Sequence, residues 1–179
     1  MTRAAIASPF ERGHDMTTPT TESRANRDEL GPLTADRSPA VPSGPGPSTS
    51  LGLLLLRLVL GAVFIAHGVQ KVWINGIPAT QEGFAGMGVP APEVMAIVVA
   101  ALDIGGGALL VLGLGTRIVG VLLAVNMVVA MVLVHLPAGF FATDGGYEFV
   151  LTLAVASLAL ALTGPGRFAI DAAFRRRNR

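Results

Sequence analysis

The side chains able to do chemistry between residues 51 and 166 are few, and their types recur in a pattern. Arg57, His67 and Lys71 stand at i, i+10 and i+14. On a helix they fall within about 80° of one another, so one face carries all three. Asp103, Asn126, His135 and Glu148 follow singly. An imidazole exchanges protons near neutral pH, and an amine and a carboxylate beside it can hold a polar headgroup and pass protons on. His67, Lys71, His135 and Glu148 are therefore the candidate cofactor-binding residues, expected to converge at one end of a bundle. Arg57 and Asp103 are the candidate catalytic residues. The glycine run Gly105-Gly106-Gly107 is not a phosphate loop, because the strand and lysine that such a loop needs are missing. It lets a helix or a flat ligand approach the backbone.

What positions these residues is a set of apolar helices. Residues 51–166 hold Arg57, Lys71, Glu82, Glu93, Asp103, Arg117, Asp144 and Glu148 as their only charges, too few to cover a soluble surface. Apolar segments at 51–70, 94–114, 118–136 and 149–164 predict four membrane helices, the last one short for a bilayer core of about 30 Å. The expected fold is all-α: a four-transmembrane-helix bundle with a tight link at 114–117, a disordered N-terminal tail and a short interfacial C-terminal helix. A charge in hydrocarbon costs about 2.5–3.5 kcal/mol. Arg57 lies about 9 Å from the inner end of its segment and Asp103 about 14 Å from the outer end of its own, so an Arg57–Asp103 ion pair is expected. Asn126 falls about 180° from His135, so the two are not expected to face the bundle centre together.

The boundaries expected are a disordered cytoplasmic tail over 1–50, the four-helix domain over 51–166 and a basic segment over 167–179. The tail is rich in proline, with the linker-like run 39–48, and cannot bury enough apolar area to offset its ordering entropy. No secretory signal is expected, since a basic start followed at once by an apolar run is lacking, and Met16 is a candidate initiating residue. Arg117, Arg167, Arg175, Arg176, Arg177 and Arg179 would lie on one side, and Lys71 with four carboxylates on the other. That asymmetry predicts both termini in the cytoplasm, with Trp73 and Tyr147 at the outer interface. The net charge of +1 argues against a nucleic-acid partner. The chain has 0 cysteines, which removes disulfides, iron–sulfur ligation and thiolate chemistry; no metal site is expected.

In their order and spacing these motifs resemble the DoxX family of small four-helix membrane proteins, over residues 51–174. The elements are Arg57-Leu58-Val59-Leu60-Gly61 and His67-Gly68-Val69-Gln70-Lys71. Then come Gly83-Phe84 and Met87-Gly88-Val89-Pro90-Ala91-Pro92, Asp103 before Gly105-Gly106, Glu148, and Gly164-Pro165-Gly166-Arg167 with Asp171. The helix-two acid is commonly Glu in the family and is Asp here. The resemblance implies a multipass plasma-membrane protein linked to redox metabolism. Some relatives act as a membrane subunit of thiosulfate:quinone oxidoreductase, and others are tied to oxidative-stress defence.

With no cysteine and no flavin or nucleotide motif, the chain is not expected to be catalytic alone. The first expectation is a membrane subunit that binds quinone between its helices, with the lipid bilayer, other redox subunits and a second copy of the chain as partners. The first alternative is a non-catalytic anchor or assembly protein for soluble redox partners. The second is a small transporter with Arg57 and Asp103 on its path. Haem held by His67 and His135 ranks below quinone as a cofactor, since only one such histidine pair exists.

Overall fold

A computed structural model of the protein describes residues 46–177, and the expectation of a disordered tail lies almost wholly outside them. The described residues are all helical, with no strand. Helix α1 (Pro47–Val69) runs on through a π-helical turn, Gln70–Ile74. A short helix α2 (Ile77–Gly86) follows, then α3 (Pro92–Leu112) and α4 (Thr116–Ala130). Helix α4 continues through a second π-helical turn, Met131–His135. After two single 3-10 turns come α5 (Glu148–Thr163) and α6 (Ile170–Arg177).

Three of these are long and apolar enough to cross a membrane: Pro47–Ile74, Pro92–Leu112 and Thr116–Ala138. At about 1.5 Å per residue, the 21-residue span is about 30 Å long. The apolar helix Glu148–Thr163 is shorter, at 16 residues. Its N-terminal end is completed by the loop before it, where Tyr147 N–H donates to Gly139 O and Glu148 N–H to Phe140 O, each at 3.0 Å. The four-helix membrane bundle read from the sequence is the architecture found.

Glycine sets the register. A Cβ on Gly61 would lie 2.6 Å from the Gly107 carbonyl, and one on Gly68 2.5 Å from Ile104 Cγ1, so α1 and α3 pack backbone to backbone. Gly120 does the same between α4 and α5, 2.7 Å from Ser157 O. Phe64, Leu110, Leu123 and Leu160 fill the centre and are fully buried. Helix α3 ends in a Schellman motif: Gly113 takes a left-handed φ of 71°, Leu114 N–H donates to Leu109 O and Gly113 N–H to Leu110 O. Two features go beyond the sequence reading. Residues 77–86, which lie between the predicted membrane segments 51–70 and 94–114, form a short helix of their own. The C-terminal helix is also tied to the bundle, because the Asp171 carboxylate accepts Gly115 N–H at 3.1 Å and Thr116 N–H at 3.4 Å, capping α4 from a distance in sequence.

Candidate functional site

The chemistry gathers around one buried carboxylate. Asp103, midway along α3, is 1% exposed. Its Oδ2 accepts from Lys71 Nζ at 2.9 Å and its Oδ1 from Asn126 Nδ2 at 3.0 Å. Three helices thus meet through one side chain that has a charged partner and a neutral one, which is what a buried charge requires. Lys71 Nζ also reaches the His67 carbonyl at 3.4 Å. The lysine is delivered by the π-helical turn, where Asn75 N–H donates to Gln70 O five residues back. Thr80 Oγ1 on α2 donates to the Lys71 carbonyl at 3.0 Å, so the short helix is fastened to the residue that carries the ion pair.

Next to this group is a cavity of about 310 Å3. That is within the roughly 300–1,000 Å3 of small-molecule sites. Phe64, Val99, Met127 and Phe149 are among its apolar walls, and Phe84, Met87 and Val89 cover it from the α2 segment. Its polar groups are His67, Lys71, Asp103, Asn126 and His135. The His67 ring also faces Phe149, with centroids 6.1 Å apart. His135 Nδ1 is 2.7 Å from the Gly145 carbonyl. Of the four residues expected to converge, His67, Lys71 and His135 line this cavity and Glu148 does not, while Asp103 is added at its floor.

Three expectations are corrected. Arg57 does not meet Asp103. The glycine register puts Arg57 level with Gly113 at the opposite end of α3, where a Cβ on Gly113 would overlap its Nη1. There its Nη2 donates to Phe168 O at 2.7 Å, and the side chain is wholly buried. Counting depth from assumed helix ends missed this, because α1 begins at Pro47 and extends to Ile74 through its π-helical turn. Glu148 does not line the cavity: its Oε1 accepts Ala142 N–H at 2.8 Å and staples the loop before α5. Asn126 and His135 both line the cavity, although a regular helix sets them on opposite sides. The wider π-helical turn Met131–His135 shifts the phase between them. The sequence did hold a signal for Asn126. Counted from the ends at Leu112 and Thr116, Asp103 and Asn126 are both about 14–15 Å deep.

Arg57 and Asp103, the two residues behind the transporter alternative, thus have separate partners, the Phe168 carbonyl for one and Lys71 with Asn126 for the other. Among the described residues no group of three or more His, Cys, Asp or Glu side chains could hold a metal ion.

The family model of DoxX matches residues 52–136, the stretch that carries Arg57, His67, Lys71, Asp103, Asn126 and His135. "Putative oxidoreductase CatD" of Bacillus subtilis (strain 168) is 41% identical over 124 residues, which are 69% of this chain and 87% of that protein. An uncharacterized membrane protein of Mycobacterium tuberculosis is 31% identical over 66% of this chain and 78% of its own. "Inner membrane protein YqjF" of Escherichia coli (strain K12) is 32% identical over 68% of this chain and 90% of its own. No solved structure matches the chain.

Proposed function

The chain belongs to the DoxX family of membrane proteins, and from that premise we propose that its cavity binds the ring of a quinone-class carrier, within a membrane subunit of a redox system. The observation that carries this reading is a cavity, apolar on its walls and polar at its floor, between helices long and apolar enough to cross a membrane. A lipid-soluble ring with oxygens at its edge fits that division. Phe64, Phe149 and the methionines would hold the ring, and the α2 segment would shield it from water.

A quinone exchanges two electrons together with two protons, and the chain's own residues are suited to the proton side. Lys71 has two of its three N–H donors engaged, by Asp103 and the His67 carbonyl, which leaves one for a ring oxygen. Asn126 has one amide N–H committed to Asp103 and one left over. Asp103 has each carboxylate oxygen engaged by a donor, so its part is to position Lys71 and Asn126. His67 lines the same cavity and is the nearest imidazole to Lys71 in sequence, one helical turn away. Electrons would come from a partner subunit, consistent with a relative that is named an oxidoreductase. Arginine asymmetry favours both termini in the cytoplasm, which puts the cavity in the outer half.

The test is extraction of the purified protein. Wild type in mild detergent is expected to carry quinone at close to one per chain, with His67→Ala and Lys71→Met losing it. A quinone-free wild type, prepared from membranes that contain quinone, would overturn the proposal.

The anchor reading keeps one observation of its own. The segment that docks α6 on the α3–α4 link leaves Phe168 and Phe174 exposed near a run of arginines, a surface suited to the membrane interface or a partner. It is compatible with the quinone reading, as the two surfaces lie at opposite ends of the bundle.

A further inference from the structure

His135 is oriented by its loop in a way that tells ligands apart. The Gly145 oxygen, 2.7 Å from Nδ1, can only accept, so Nδ1 carries the proton. The neutral ring then has its lone pair on Nε2. Nε2 has no partner among the described residues, and His135 is one of the residues that line the cavity.

The carbonyl that sets this tautomer is firmly held. Gly145 has a left-handed φ of 84°, and its N–H closes the 3-10 turn Ala142–Asp144 on Ala142 O at 3.0 Å. Gly146 is packed so closely on Gly139 and Phe140 that a Cβ there would overlap them. Glu148 Oε1 takes Ala142 N–H from the other side. The cavity is therefore polar in two different senses. Lys71 can only donate, and Asn126 can donate or accept. His135 Nε2, in the neutral ring, can only accept.

We infer that the His135 side of the cavity selects a ligand bearing a hydroxyl, so that the site takes a phenol or hydroquinone in preference to a ring with a carbonyl or ether at that place. This rests on the quinone-class reading and adds to it the oxidation state that is recognised. A hydroxyl donates to Nε2; a carbonyl or ether oxygen there would set two lone pairs against each other and leave both unpaired.

The probes are para-hexylphenol and its methyl ether, which differ in the single donor. Each displaces a short-chain benzoquinone from the full-length protein in detergent, with free concentrations corrected for partition into micelles. The phenol is expected to displace at roughly three- to tenfold lower concentration than the ether. His135→Phe should erase that ratio, and His135→Gln, which keeps an acceptor oxygen, should retain part of it. The wild-type comparison needs no variant, so a misfolded His135→Phe does not remove the test. Equal displacement by phenol and ether in wild type overturns the inference and leaves the quinone-binding cavity standing. A preference that survives in folded His135→Phe overturns the assignment to His135. Failure of the benzoquinone and the phenol alike to bind overturns both readings.

Discussion

Lys71 and Asp103 form one ion pair, but their freedom to leave it is unequal. Lys71 has a four-carbon stem, stands near the C-terminal end of its span and is 22% exposed; Asp103 has one methylene, stands mid-helix and is 1% exposed. Without Asp103, the ammonium can snorkel outward to the interface. Without Lys71, the carboxylate stays in the bundle with Asn126 as its remaining partner. Lys71→Met is therefore expected to cost about 3–5 kcal/mol, as an uncompensated buried charge does. Asp103→Leu should cost about 1–2 kcal/mol. Adding Asp103→Leu to Lys71→Met should restore most of the loss. Thermal unfolding in detergent, followed by circular dichroism, measures all three. Equal losses in the single variants would show that Lys71 is as trapped as its partner. Arg57 teaches a related point. It is wholly buried, yet it answers to the C-terminal end of α3 and the Phe168 carbonyl, where the negative end of a helix dipole favours a cation.

At the scale of the element, helix packing is decided glycine by glycine. In the run Gly105-Gly106-Gly107 the three residues look alike in sequence and differ in surroundings. A Cβ on Gly105 meets nothing within 4 Å. One on Gly106 would press on Leu123 Cδ2 at 3.2 Å, the end of a flexible side chain. One on Gly107 would stand 2.7 Å from the Gly61 carbonyl, which cannot move without separating α1 from α3. Gly107→Ala is expected to destabilise by about 1–3 kcal/mol through overpacking. Gly105→Ala should be neutral, or stabilising by up to about 1 kcal/mol from helix propensity. Melting temperatures of the two variants, prepared side by side, should separate clearly; a Gly105→Ala as damaging as Gly107→Ala would contradict the register. The same register brings Lys71 to within about one turn of Asp103, so loosening at Gly107 should reach the cavity floor.

Taken whole, the molecule has two dissimilar ends. At one, the cavity lies beneath α2 and the loop before α5. At the other, Arg57, Gly113, Phe168 and Asp171 knit α1, the α3–α4 link and the C-terminal segment together. If the arginine-bearing end is cytoplasmic, the cavity end faces outward. The chain has 0 cysteines, so each introduced cysteine is the only thiol to label. Ala142→Cys, in the loop before α5, is expected to react with a membrane-impermeant maleimide on intact cells. Ala173→Cys, on α6, should react only after the membrane is opened. Both side chains are exposed, so access to water on the correct side decides the outcome. The reverse pattern would invert the molecule and move the cavity to the cytoplasmic half.

Composition and periodicity by themselves determined the membrane bundle. Long apolar runs with few charges admit no other compact state, and the backbone must satisfy its hydrogen bonds within each helix. They also brought His67, Lys71 and His135 to one end, because a position near a helix end reads directly as depth. Partnership across helices was left to the tertiary structure. Which residue Asp103 meets depends on the offset between α1 and α3, and that offset follows from where glycines let backbones touch and from where α1 begins and ends. The π-helical turns at Gln70–Ile74 and Met131–His135 then changed the phase of Lys71 and His135 relative to a regular helix. Such a turn has no signature in a regular 3.6-residue periodicity. For that reason Arg57 and Glu148, both plausible from charge alone, ended as fasteners of the two ends, while Asn126 joined the site.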